Sequence, residues 1–211
     1  MRNSQLTPSN NVDNDPRPAV FNQTGNKNTQ IAHANNVNQV INIILPSITQ
    51  STGGSINSSV SLNREYYNLF VIGEEDFLGE HFIVPKERAL TESMSVEAKE
   101  LFSSLSDDAI AQIITFPSLF ASENHQYGRT DDQHIAYFGL VTKVKIQDNG
   151  IKIYFHKLTG IPQQKLNEIS IKLALERATS LNELNRTHWA IKRIDLIEEL
   201  WAAGISVLAH R

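Results

Sequence analysis

The segment between residues 123 and 134 concentrates side chains that can carry acid–base or metal chemistry. It reads Glu-Asn-His-Gln-Tyr-Gly-Arg-Thr-Asp-Asp-Gln-His, with two imidazoles and three carboxylates. These groups are common general acids and bases, and they also bind zinc. Their spacing matches no HExxH or comparable ligand pattern, and the composition is typical of a solvated loop. The sequence therefore predicts a loop here and no metal site.

A second polar string, Asn-Arg-Thr-His-Trp, ends at Trp189. Arg186 can hold an anion, and His188 beside Trp189 can line a pocket. The alternative interpretation is an ordinary strand whose side chains alternate between packing and solvation. If the domain has a ligand pocket, these three residues are the first candidates for it.

Other catalytic patterns are weak or absent. Glu97-Ala98-Lys99 fits the E-x-K of restriction-type nucleases, but the pattern predicts a solvated helix surface here rather than a catalytic strand. Phosphate-binding glycine loops and the G-x-S-x-G elbow are absent. The chain has no cysteine, which excludes thiolate nucleophiles and thiolate metal sites. The sequence thus predicts no catalytic residue, no metal and no cofactor, and it leaves open whether the protein is an enzyme.

Composition narrows the class of protein. No run approaches 18 apolar residues, and the N-terminus is polar. We therefore expect a cytoplasmic protein that does not bind a membrane. The net charge of −4 over 211 residues argues against a general nucleic-acid binder, which normally carries a basic excess.

Charge divides the chain near residue 63. Residues 1–63 carry five charged side chains and 13 asparagines, and all the other charged side chains follow residue 63. We predict a disordered lead at 1–20, a β-prone interaction motif at 21–45, a flexible linker at 46–63 and a globular α+β domain at 64–211.

The globular domain is predicted to combine several helices with a small mixed or antiparallel sheet. Strands are predicted at 65–72, 81–84 and 187–194. Three helices are predicted to begin at Ser95, Ser106 and Asp195, and a fourth near Pro162. The first helix is predicted to bury one apolar face, formed by Ala98, Leu101, Phe102 and Leu105. Gly204 is predicted to end the last helix, and the helix after Ser106 to end before Pro117.

A β-hairpin at 140–156 is the clearest local prediction. The pair Asn149-Gly150 favours a two-residue turn, which would place Ile146 opposite Ile153 and Val144 opposite Phe155. The other side of the hairpin would then carry a modest basic face, which is usually only solvated. Its residues are Lys143, Lys145, Lys152 and His156, with Tyr154 as the one aromatic among them.

Residues 21–45 have the composition of strands that pair between chains. They alternate Asn and Gln with Thr, Ile and Val, carry one charge, Lys27, and lack proline. Two short strands, at 21–31 and 37–45, cannot hold themselves together in water. Stacking identical copies would pair every backbone group and align the amides in ladders. The alternatives are an edge strand added to a sheet of the globular domain, or a disordered linker.

Within this segment, Gln23-Thr-Gly25-Asn-Lys-Asn28 fits the Q-x-G-x-x-N core of RHIM-like amyloid signalling motifs. The segment resembles the tags of bacterial innate-immunity proteins of the NLR and antiphage type. This resemblance implies a cross-β assembly with a matching tag on a partner. The predicted interaction residues are Gln23, Gly25, Asn28, Ile31, Val37, Val40, Ile41 and Ile43.

Three functions follow as hypotheses. The first is a non-enzymatic interaction, signalling or regulatory protein of bacterial defence, which self-associates or recruits a partner with a matching motif. The second is an enzyme of unrecognised class that uses the 123–134 loop or the 186–189 string. The third is a nucleic-acid-binding module that acts through the hairpin.

Overall fold

A computed structural model of the protein describes residues 42–43, 60–176 and 182–208. All of them belong to one compact unit, Asn38–Arg211. The predicted interaction residues lie outside the described residues, except Ile43, whose backbone is described. Across the described ranges, no helix has the length and apolar character needed to cross a membrane.

Eight strands and four α-helices make up the described fold. The strands are β1 (Asn42–Ile43), β2 (Val60–Ser61), β3 (Tyr67–Val71), β4 (His81–Val84), β5 (Pro117–Ala121), β6 (Ile135–Gln147), β7 (Gly150–Pro162) and β8 (His188–Lys192). The helices are α1 (Val96–Phe102), α2 (Asp107–Ile113), α3 (Gln163–Glu168) and α4 (Leu196–Ala202), and short 3₁₀ turns occur at Lys86–Arg88 and Glu183–Asn185.

Six strands form one mixed sheet in the order β4-β7-β6-β5-β3-β8. Neighbouring strands are antiparallel except β3 and β5, which are parallel and are joined by a crossover that contains α1 and α2. The fold is therefore α+β, as the sequence predicts. β1 and β2 form a separate two-stranded antiparallel sheet, in which Ile43 pairs with Val60.

The predicted helix starts are confirmed. Ser95 accepts a hydrogen bond from the Ala98 amide at 3.1 Å, and Ser106 accepts one from Ala109 at 3.3 Å. Asp195 caps α4 through the Glu198 amide at 3.1 Å. Each cap satisfies an amide that has no partner within its helix.

The prediction that Leu101 of α1 belongs to the core is wrong. Leu101 is 49% exposed, whereas Ala98 and Phe102 are buried. The helix has only two turns, so its inward stripe is the i, i+4 pair alone, and Leu101 points away from the sheet.

The hairpin is confirmed, but its register and length differ from the prediction. Its strands have 13 residues each, and the two turn residues are Asp148 and Asn149, because Gln147 pairs with Gly150. Ile146 therefore faces Ile151, and Val144 faces Ile153. Near the turn the register is shifted by two residues, so the side chains of Lys143–Gln147 keep their predicted side of the sheet. The irregularity between Val141 and Lys143 reverses the sides of Leu140 and Val141. A glycine is needed at position 150 because the backbone of Gly150 packs closely against β4.

Strand β5 is absent from the sequence prediction, which took Pro117 only as the end of a helix. Pro117 is the first strand residue, a position where the missing amide hydrogen is tolerated. All five residues of β5 are buried, so the strand lacks the alternation that identifies half-exposed strands.

The sheet separates two apolar cores. One face is rich in aromatic rings, among them Phe70, Phe82, Phe120 and Trp189, and is covered by α1 and α2. Phe70 stacks on Phe120 with ring centroids 5.4 Å apart. The other face is largely aliphatic and packs against α3 and α4.

A buried ionic cluster fixes the segment before β8. Glu183 Oε1 accepts a hydrogen bond from Lys192 Nζ at 2.7 Å, and Glu183 Oε2 lies 3.2 Å from His188 Nε2. Burial alone raises the pKa of Glu183, but hydrogen bonds and charge from His188 and Lys192 outweigh it, so the pKa lies below its usual value. Burial and the Glu183 charge raise the pKa of Tyr67 well above its usual value. Glu183 is therefore the counterion at the centre of this cluster.

Replacing Glu183 by Gln should lower the free energy of unfolding by about 3–5 kcal/mol, because a buried ion pair loses its carboxylate. Glu65→Gln is the matched control. Glu65 pairs with Arg193 at 2.6 Å, but both side chains are about half exposed, so about 0–1 kcal/mol is expected. Urea unfolding at pH 7 measures both. The Glu183 effect should shrink as the pH falls through the Glu183 pKa, since the native carboxylate is then protonated. Equal effects of the two variants would contradict this assignment.

Gly150→Ala should destabilise the domain by about 1–3 kcal/mol. The added Cβ would lie 2.5 Å from Ile83 Cγ2 and 2.7 Å from the Val84 carbonyl oxygen, at a φ of +142°. Gly79→Ala provides the control, because its Cβ would meet no atom closer than 3.6 Å. Its effect should stay within about 0.5 kcal/mol in the same urea experiment. A neutral Gly150→Ala would show that β4 does not pack closely on the hairpin.

Candidate functional site

The fold brings together two polar strings that lie far apart in the sequence, residues 123–134 and 185–189. Residues 122–134 connect β5 to β6, and residues 182–187 lead into β8. β3 and β5 are parallel, so their carboxyl ends lie at one edge of the sheet. β8 is antiparallel to β3, so its amino end lies at the same edge. The loop and the string therefore meet there.

Glu123 and Thr187 fasten the two segments to each other. Glu123 Oε1 accepts hydrogen bonds from the Thr187 amide and from Thr187 Oγ1, both at 2.6 Å. The same hydroxyl accepts a hydrogen bond from the Gly73 amide at 2.7 Å, at the end of β3. The Glu123 carboxylate thus has a structural role at the sheet edge.

Behind the loop lies a cluster of side-chain amides. Asn124 Oδ1 accepts hydrogen bonds from Gln163 Nε2 at 2.9 Å and Asn167 Nδ2 at 3.1 Å. Asn167 Oδ1 accepts from Asn124 Nδ2 at 2.9 Å and from Asn182 Nδ2 at 2.7 Å. Asn124, Gln163 and Asn167 are buried. Asn124 and Asn167 each donate and accept within the cluster, whereas Gln163 only donates and its buried Oε1 has no partner among the described residues. The paired amides of Asn124 set the orientation of the loop.

Asn185 holds the outer part of the loop. Its Oδ1 accepts a hydrogen bond from the Gly128 amide at 2.8 Å, and its Nδ2 donates to the Gln126 carbonyl at 2.7 Å. An open cavity of about 750 Å³ lies here. Its lining residues are Asn124, His125, Gln126, Tyr127, Arg129 and Asn185. Tyr127 is 77% exposed, so a flat ring is available at the rim.

The imidazoles and a carboxylate of the loop form a chain. Asp131 Oδ2 lies 2.9 Å from His125 Nδ1, and His125 Nε2 lies 3.1 Å from His134 Nδ1. Desolvation and the neighbouring His125 lower the pKa of His134, although Asp131 opposes this. Desolvation raises the pKa of Asp131, but the hydrogen bond from the Gln133 amide and the charge of His125 have the opposite effect. Together they outweigh desolvation, so the pKa of Asp131 lies below its usual value.

This arrangement suits recognition of a polar ligand. The cavity offers amide donors and acceptors, one guanidinium and one aromatic ring. The Asp131 carboxylate orients His125, as carboxylates do in acid–base relays. The second ring nitrogen of His125 contacts His134 rather than the cavity, so it does not face a ligand. Within residues 60–176 and 182–208, no group of three His, Asp or Glu side chains could hold a metal ion.

The structure does not bring Arg186, His188 and Trp189 to one pocket. Arg186 pairs with Glu92 at 3.2 Å. His188 is buried on the aliphatic side in the ionic cluster, with Nδ1 2.7 Å from the Arg186 carbonyl oxygen. Trp189 is fully buried in the aromatic core, and its Nε1 donates to Asn68 at 3.3 Å. Adjacent strand residues point to opposite faces, so His188 and Trp189 cannot line a common pocket.

Glu97 lies on α1, as predicted, and pairs with Arg193 at 2.8 Å. Sequence reasoning missed Gln163, Asn167 and Asn182. Gln163 and Asn167 lie on α3 and Asn182 lies in a separate stretch of chain, and buried amides carry no spacing pattern that could have shown their association.

Comparisons of the chain with protein-family models, curated proteins and solved structures gave no match.

Acidification should loosen the 123–134 loop. The folded pKa of His134 lies below its usual value, so the open loop binds more protons, and loop stability present above about pH 6.5 is lost as the pH falls. The mutual amide–carbonyl hydrogen bonds of Gln126 and Arg129 report on the loop. Their hydrogen-exchange protection factors should fall between pH 7 and pH 5, while those of β3 should not. The difference should disappear in His134→Gln; if it persists there, His134 is not the responsible group.

Proposed function

We propose that this protein is an interaction and signalling module whose N-terminal segment, residues 21–45, recruits further copies or a partner with a matching segment through strand pairing. The observation that carries the proposal is the pairing of β1, which comes from this segment, with β2. It supports a segment that adopts strand geometry, as the β-branched composition predicts.

In this proposal, additional strands pair with the small sheet. Among the residues that the structure describes, β1 and β2 have only each other as neighbours. A two-stranded sheet is at best marginally stable in water. Strands at a sheet edge present unpaired amide and carbonyl groups, which further strands can satisfy. Pairing with an added chain is therefore favourable here.

In this proposal the α+β domain carries recognition. The open cavity between the 123–134 loop and Asn185 supplies the polar site, and its amide cluster keeps the site preformed. Binding to a preformed site avoids the entropy cost of ordering the loop. The resemblance of residues 21–45 to RHIM-like tags supports a role in bacterial defence, in which recognition by one domain leads to assembly through the tag.

Val40→Asp in the full-length chain should abolish concentration-dependent assembly, because a charge buried in a stack of identical strands repeats in every copy. Val12→Asp is the matched control, since it adds the same charge to the polar lead. Sedimentation velocity should show large species for the unaltered chain and for Val12→Asp, and monomers for Val40→Asp. Thioflavin T fluorescence distinguishes fibres from closed oligomers.

A monomeric unaltered chain over the accessible concentration range, alone and with a peptide of residues 21–45, would contradict the proposal. Equal effects of the two substitutions would show that charge in the tail, rather than strand stacking, controls assembly.

A further inference from the structure

A basic face covers one side of the sheet where β4, β7 and β6 run together. Val144, Ile151, Ile153 and Phe155 point into the aromatic core, and the intervening residues point outward. We define the basic face by six outward residues: His81, Lys143, Lys145, Lys152, Tyr154 and His156. All are exposed or half-buried.

This face arises because the hairpin extends past the helices that cover the aliphatic side. β6 and β7 contribute Ala136, Phe138, Leu140 and Ile161 to the aliphatic core, near the ends where their chain meets α3. β6 is irregular between Phe138 and Gly139 and again before Lys143. From Val141 toward the turn, the core residues of β6 belong to the aromatic core alone. The side chains on the other face of this part of β6 are exposed.

The charge of the basic face is of one sign. Lys145 and Lys152 are directly opposite each other across the strands, and Lys143 is opposite Tyr154. No carboxylate occupies an outward position of these strand segments, and within the described residues none of the three lysines forms an ion pair. Like charges directly opposite in a sheet are destabilising. Folding therefore does not account for this arrangement, whereas an anionic partner would.

An aromatic ring lies between the charges. The ammonium groups of Lys145 and Lys152 are 5.6 Å and 5.7 Å from the centroid of the Tyr154 ring. On the next strand, the His81 ring lies 5.4 Å from the same ring, centroid to centroid. A ring on the surface of a sheet, flanked by cations, can stack a base while the cations contact the adjoining phosphates.

We propose that the basic face binds single-stranded nucleic acid, with phosphates on Lys143, Lys145 and Lys152 and a base stacked on Tyr154. The net charge of −4 does not oppose this, because phosphate contacts act locally and the excess negative charge lies elsewhere in the chain. The proposal rests on residues of β4, β6 and β7 alone, so it does not depend on the assembly proposed above.

The test uses the full-length chain and a fluorescein-labelled 20-nucleotide oligothymidine, followed by fluorescence anisotropy. Binding is expected at 50 mM salt. Three phosphate contacts to a single strand predict that the affinity falls about 20-fold between 50 and 200 mM salt. A duplex of the same length and vesicles containing phosphatidylserine serve as competing anionic probes.

Variants separate charge, stacking and folding. Lys145→Glu/Lys152→Glu should weaken binding about 10-fold or more, while Lys99→Glu/Lys172→Glu, the same charge change at exposed lysines elsewhere, should leave it within about 2-fold. Tyr154→Ala should weaken binding about 5- to 150-fold, and Tyr154→Phe should retain it, because stacking needs the ring and not the hydroxyl. Lys145→Glu alone should weaken binding yet raise the Tm by about 1–2 °C, since it creates an opposite-charge pair with Lys152.

Four outcomes would overturn the proposal. They are no binding of the oligothymidine at 50 mM salt, equal losses in the two double variants, tighter binding of the duplex than of the single strand, and binding of the vesicles alone. A raised Tm of Lys145→Glu would show that this variant is folded, so its weaker binding would not be caused by unfolding.

Discussion

The parallel pairing of β3 with β5 determines where the polar groups of this domain meet. In an otherwise antiparallel sheet, this single pair places two carboxyl ends at one edge. β8 then joins β3 in the antiparallel sense and brings its own amino end to that edge. The 123–134 loop and the 182–187 segment are therefore neighbours, although about 50 residues separate them in the chain.

Two polar networks stabilise this edge through hydrogen bonds between buried side chains. The side-chain amides of Asn124, Gln163, Asn167 and Asn182 are linked by hydrogen bonds, and Glu183 neutralises Lys192 beside His188. A buried polar group without a partner costs about 1–3 kcal/mol, and a buried charge costs more. These two networks hold the segments that border the cavity, while Tyr127 and Arg129 remain exposed to solvent.

The two faces of the sheet differ in a way that bears on function. The aromatic side has buried residues along the hairpin as far as Val144 and Ile151, whereas the aliphatic core contains no residue of β6 beyond Leu140. The uncovered part carries lysines that face each other at a cost in stability. The domain therefore offers two separate surfaces, a polar cavity at the edge of the sheet and a basic face on its outer strands. An N-terminal segment that pairs with further chains would link either surface to assembly.

Local chemistry was sufficient for much of the fold. The sequence by itself determined the caps at Ser95, Ser106 and Asp195, the strands at β4 and β8, and the existence of the hairpin, because each depends on side chains only a few residues apart. Tertiary structure alone decided the parallel place of β5, whose five buried residues lack alternation, and the hairpin register, which the close packing of Gly150 on β4 favours. It also joined the side-chain amides of Asn124, Gln163, Asn167 and Asn182, which come from distant segments. These outcomes depend on contacts between segments far apart in the chain, which periodicity and composition do not encode.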